Sequence, residues 1–96
     1  MIEIIVNQDM VSIKGHAGSA PKGEDLVCCA VSTLFYSLVA NLEYHSSRAK
    51  IVCNEGDSYI ECNFGERMAD FNCFRYFEIA IRELAGQYPD YIKISD

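Results

Sequence analysis

Basic residues are scarce in this 96-residue chain: eight Lys and Arg stand against fourteen Asp and Glu, a formal net charge of −6. They form no cluster. Phosphate backbones are held chiefly by Lys and Arg, so direct nucleic-acid binding is not expected. An acidic surface does favour encounter with a basic partner, and equally serves plain solubility. Long apolar runs are also missing. The longest uninterrupted stretch, Leu26 to Val31, is far shorter than the roughly 20 residues of a transmembrane helix, so no membrane partner is expected. The start, Met1-Ile-Glu-Ile-Ile-Val6, has no basic n-region of an export signal. Five cysteines, an odd number with no repeated Cys-x-x-Cys, are not a disulfide framework. Free thiols fit a reducing cytoplasm, which is the expected location. No repeat, low-complexity tract or Pro/Ser-rich linker divides the chain, so residues 1–96 are expected to be a single domain.

Half the residues are apolar and 23% are charged, an ordinary globular balance. So short a chain buries a modest core, which makes oligomerisation a reasonable expectation. Residues 2–6 and 10–14 are rich in Ile and Val and predict two strands, with the polar Asn7-Gln8-Asp9 turning a hairpin. Three glycines and a proline between Gly15 and Gly23 predict a loop. Asp25 is an N-cap candidate for a helix running to about Asn41. That helix is apolar on more than one face, which predicts packing against a sheet on one side and a partner on another. Residues 49–54 and 58–63 predict a hairpin around Glu55-Gly56-Asp57. A second helix is expected over about 67–85, with Arg75, Glu78 and Arg82 on one polar stripe and Gly86 and Pro89 as stop signals. Tyr91-Ile-Lys-Ile94 alternates as a last strand. The expected fold is α+β, a ββαββαβ sandwich with a mixed sheet packed against two helices.

Chemistry concentrates at the start of the first helix. With Asp25 at the N-cap, Cys28 occupies position N3, beside unpaired backbone N–H groups at the positive end of the helix dipole. Such a position lowers a thiol pKa, and the thiolate is the nucleophile. His16, after Gly15 at the end of the second strand, supplies a group able to hold and move the proton. The first-turn amides are suited to an oxyanion. Ser32 lies one turn beyond Cys28 on the same face. On spacing alone, Cys28 reads first as a small buried hydrophobe, because a His and a Cys twelve residues apart occur in many chains.

The strings Gly15-His16-Ala17 and Gly23-Glu24-Asp25-Leu26-Val27-Cys28-Cys29-Ala30-Val31-Ser32 resemble the signature of the ribosomal-processing cysteine protease family. That family pairs a strand-end Gly-His with an Asp-Ile-Val-Cys-Ala-x-x-Ser helix start. The ending Gln87-Tyr88-Pro89-Asp90-Tyr91-Ile92 is similar to family C-termini. The resemblance implies a homodimeric cysteine endopeptidase that removes the N-terminal extension of large-subunit ribosomal protein twenty-seven, cutting after an aromatic residue in a short hydrophobic motif. It implies His16 and Cys28 as the catalytic pair, Asp25, Ser32 and Gly15 as supporting positions, no cofactor, and a ribosomal protein precursor as the peptide substrate. Leu26 replaces the family's Ile, a volume-conserving swap. Cys29 replaces its Ala. Successive helical side chains diverge by about 100°, so only one of the two thiols faces the histidine well. Cys28 keeps the family spacing; Cys29 is expected to pack in the core or to form reversible oxidised species with its neighbour.

Other readings compete. A metal site on His16, Cys28 and Cys29 lacks a nearby fourth ligand, and adjacent cysteines diverge, so no metal is expected. Cys53 and Cys62, on the two arms of the second hairpin, are placed to face one another or to be ordinary strand-interior thiols. His45, after the first helix, is expected to face solvent or stabilise a turn. Phe71, Phe74 and Phe77 are expected in the core or a dimer contact. A non-catalytic dimeric adaptor of the same fold is the alternative from another class. A protease acting on another precursor, such as a phage structural protein, is the alternative within the enzyme class.

Overall fold

The computed structural model describes residues 1–15 and 25–96. Its elements follow the expected order: β1 (Ile2–Asn7), β2 (Met10–Lys14), α1 (Leu26–Tyr44), β3 (Lys50–Val52), β4 (Asp57–Glu61), α2 (Met68–Gln87) and β5 (Ile92–Ser95). The five strands form one sheet in the order β3-β4-β2-β1-β5, antiparallel except for the parallel β1–β5 pair. In β1, residues 2, 4 and 6 are buried while Glu3 and Ile5 are exposed. That alternation leaves one face of the sheet for the helices. The stripe Val27, Val31, Phe35, Leu38 and Leu42 of α1 is buried, as are Phe74, Phe77 and Ile81 of α2. Both helices join the inward strand residues in one hydrophobic cluster. Phe74 stacks on Phe64 with ring centroids 4.7 Å apart, and Phe71 is half-buried.

The β1–β2 turn closes as its sequence implies, with the Asp9 N–H donating to Asn7 Oδ1 over 2.9 Å. Several boundaries differ from expectation. Helix α1 continues three residues past Asn41, because Leu42 is an inward anchor and the Ser46 and Ser47 amides close the last turn, donating to the Glu43 and Leu42 carbonyls over 3.1 and 2.9 Å with Ser46 at φ 55°. Arg67 donates to the carbonyls of His45 (2.8 Å) and Ser46 (3.1 Å), a favourable charge at a helix C-terminus. Helix α2 runs through Gly86 to Gln87. The stop falls at Tyr88, whose φ of −128° and ψ of 57° are those of a residue steered out of the helical region by the following Pro89. The ladders of β3 and β4 are shorter than the apolar runs around them. Glu78 takes Arg82 at 3.3 Å and also Arg75, so the polar stripe of α2 forms as expected.

Helix α1 is long and apolar enough, by length and composition, to cross a membrane, although no single apolar run within it is. In this fold its buried stripe lies against the sheet.

Candidate active site

The N-cap of α1 is built by Asp25, whose extended backbone (φ −81°, ψ 97°) lets its carboxylate turn back onto the first turn. The Cys28 N–H donates to Asp25 Oδ1 over 3.0 Å, and the Cys29 N–H donates to the Asp25 carbonyl over 3.1 Å. Cys28 therefore sits at N3 as the sequence predicts. No acidic residue other than the cap stands in that first turn, so the positive end of the dipole and the Asp25 carboxylate both act on position N3.

This helix start opens on a cleft of about 600 Å³. One wall is the α1 stripe Asp25, Cys28, Cys29, Ser32 and Tyr36. The floor is apolar, from Ile2, Ile13, Val31 and Phe35. The opposite wall is the tip of the β3–β4 hairpin, from Cys53 to Ser58. Gly15 holds that tip in place, its N–H donating to the Gly56 carbonyl over 2.9 Å. Only glycine serves here: φ is +89°, and a Cβ would lie 2.6 Å from the Met1 carbonyl oxygen.

Four of the five expected site residues, Gly15, Asp25, Cys28 and Ser32, thus line a single cleft. The fifth, His16, lies outside the described residues. Cys29 does not pack in the core as expected: it is exposed at the cleft, whereas Cys28 is half-buried against the core cluster. The cause is the register of the helix, which turns residues 27, 31 and 35 inward and leaves residue 29 on the stripe of Ser32 and Tyr36. Tyr36 and the hairpin tip were not anticipated as site residues. Tyr36 was recoverable from the helical period, being seven residues after Cys29; the hairpin tip carries no local signal.

Cys53 and Cys62 do not face one another. The register pairs Lys50 with Glu61 and Val52 with Tyr59, which carries the two thiols past opposite ends of the ladder. None of the five cysteines is in a disulfide. Cys62 instead donates to Asp70 Oδ2 (3.8 Å) near the Ser47 hydroxyl (4.0 Å). Burial pushes the Cys62 thiol pKa up, and the negative charge of Asp70 adds to it, against the lowering effect of the Ser47 hydrogen bond. Cys73, also on α2, is raised by burial and then by Asp70. His45 is exposed at the end of α1, edge-on to the Tyr44 ring. Among the described residues no group of three or more His, Cys, Asp or Glu is placed to hold a metal ion.

The likenesses to known proteins span the chain. The Mycoplasma genitalium ribosomal processing cysteine protease Prp is 29% identical over the whole chain and 96% of its own length. The S. aureus essential ribosomal processing protease Prp, solved with a covalently linked product peptide, shares the fold with a TM-score of 0.84 at 19% identity, covering 98% of this chain and 95% of that one. The Streptococcus mutans protein SMU.848 superposes with a TM-score of 0.71 at 27% identity, over 98% and 90% of the two chains. A family model described as cysteine protease Prp matches residues 1–93, nearly the full length, and the chain accordingly belongs to the Prp family and is a cysteine protease.

Proposed function

We propose that Cys28 is the nucleophile and His16 the general base and acid of an endopeptidase that trims the N-terminal extension from large-subunit ribosomal protein twenty-seven. The observation that carries this reading is the place of Cys28 at N3 of α1, its amide held by Asp25 and its side chain at a cleft large enough for a peptide. The Cys28 thiolate attacks the scissile carbonyl, and His16 gives the leaving amine its proton as the tetrahedral intermediate collapses to a thioester. His16 then takes a proton from water, whose oxygen displaces the thiol. Asp25 already occupies the Cys28 and Cys29 amides, so oxyanion donation from this turn falls to the amides of Leu26 and Val27. Ser32 is the polar group one turn along the same wall.

A homodimer is part of the proposal, supported by apolar side chains left uncovered on α2: Met68 is 76% and Tyr76 77% exposed. Light scattering on the purified chain tests it. The cytoplasm is the proposed compartment, supported by five cysteines of which none is in a disulfide.

The deciding assay is cleavage of a peptide spanning the extension and the first mature residues. Wild type and Cys29→Ser are expected to cut it, and Cys28→Ser and His16→Ala to lose cleavage. Full activity in Cys28→Ser, with loss in Cys29→Ser, transfers the role to the neighbour. A wild type that binds the peptide and never cuts it favours the adaptor, and cleavage confined to other precursors removes the ribosomal assignment.

A further inference from the structure

Tyr36 is an aromatic ring that the fold leaves 55% exposed although it lines the cleft. Directly beside it, Phe35 is 2% exposed and meets the Tyr36 ring edge-on, with centroids 6.0 Å apart. Val31, Ile2 and Ile13 line the same cleft, so the Tyr36 ring shares it with several apolar side chains. Among the described lining residues there is no Lys, Arg or His.

We propose that Tyr36 and Phe35 form a specificity subsite that takes a bulky apolar side chain of the substrate peptide, with an aromatic ring the best occupant. Its distance from the chemistry follows from helix geometry. Tyr36 stands eight positions after Cys28, about 12 Å along α1 at 1.5 Å per residue. An extended peptide advances about 3.3 Å per residue, so the side chain seated there belongs to a residue three to four positions from the scissile bond. The groove is continuous with the reacting sulfur, because one cleft contains both ends of this stripe. Two aromatic groups at right angles favour a third ring, offset or edge-on, over an aliphatic chain of similar volume. The inference rests on Cys28 carrying the acyl group, since the distance is counted from it.

The test is a peptide series in which the positions three and four residues from the cleaved bond, on either side, are varied among Phe, Leu and Ala. The readout is the ratio of kcat/KM for the Phe and Ala peptides. Wild type is expected to prefer Phe about tenfold at one of these positions, the scale of one well-packed aromatic contact. Tyr36→Ala is expected to abolish that preference, and Tyr36→Phe to keep it, because the ring and not the hydroxyl does the selecting. An unchanged Phe-to-Ala ratio in Tyr36→Ala, with the peptide still cut, overturns the subsite while leaving the catalytic assignment intact. Cleavage lost in Cys29→Ser and kept in Cys28→Ser overturns the catalytic assignment instead, and the ratio still reports on Tyr36. If wild type cuts none of the series, the same ratio is read from peptide binding by fluorescence anisotropy. Equal affinity of wild type and Tyr36→Ala for the Phe peptide then overturns the subsite.

Discussion

The two helices begin in opposite ways. Helix α1 has a side-chain cap, Asp25, and a cysteine at N3 that borders an open cleft. Helix α2 has no side-chain cap, starts after Arg67, and carries Asp70 at N3, where it is 3% exposed. Both N-termini present a positive dipole end and unpaired amides. In α2 that field is answered by a fixed internal carboxylate, which also lies 3.7 Å from Arg67. In α1 the carboxylate is the cap Asp25, which holds the Cys28 amide, and N3 itself carries a thiol. The contrast extends to the other thiols: Cys62 and Cys73, beside Asp70, have their ionisation suppressed. The same backbone device is thus a closed structural joint at one helix and the border of an open cleft at the other.

The largest expected effect tests that contrast directly. Alkylation of the intact protein near neutral pH, mapped by mass spectrometry, should label Cys28 about tenfold or more faster than Cys62 and Cys73. Equal rates at all three would erase the distinction between the two helix starts. Next in size is the cap: Asp25→Ala should cost about 1 kcal/mol in urea unfolding, while Asp25→Asn should keep nearly all of it. A full-size loss in the Asn variant would mean that the charge of Asp25, not its acceptor oxygen, holds the helix start. A smaller effect comes from the other helix. Asp70→Asn removes the negative charge beside two thiols, so labelling of Cys62 and Cys73 should quicken roughly threefold. Unchanged rates would leave burial as the whole cause.

The smallest effect is on stability. A thiol with a raised folded-state pKa holds its proton more tightly in the folded chain than in the unfolded one. Its contribution is fully present at neutral pH and declines as pH climbs past the ordinary thiol value of about 8.5. Cys73→Ala should flatten that decline in a denaturation series run from neutral to alkaline pH; a decline of the same slope would assign it to other groups.

Much of this was legible in the linear chain, for a local reason. Ile- and Val-rich runs mark β1 and β2, and the cap-to-thiol spacing puts Cys28 at N3, because both depend on residues a few positions apart. What was missed carries no strong local signal. The end of α1 is closed by Ser46 at φ 55°, with the Ser46 and Ser47 amides turned back onto the Glu43 and Leu42 carbonyls, and no glycine announces that cap. Whether Cys53 and Cys62 meet was left open in the sequence, and the ladder answers it: strand register is set by which side chains reach the core, and it carries the two thiols apart. The core placement expected for Cys29 failed because packing against the sheet decides which stripe of an apolar helix turns inward.

By itself the sequence determined the order of the elements, the capped helix start and the thiol at its third position, all products of short-range backbone chemistry. Only the tertiary structure decided that the hairpin tip closes the far wall of the cleft, that Tyr36 lies exposed along it, and that Asp70 is buried against Cys62. Those outcomes require segments far apart in the chain to share one core, and the information for that resides in packing rather than in any local pattern.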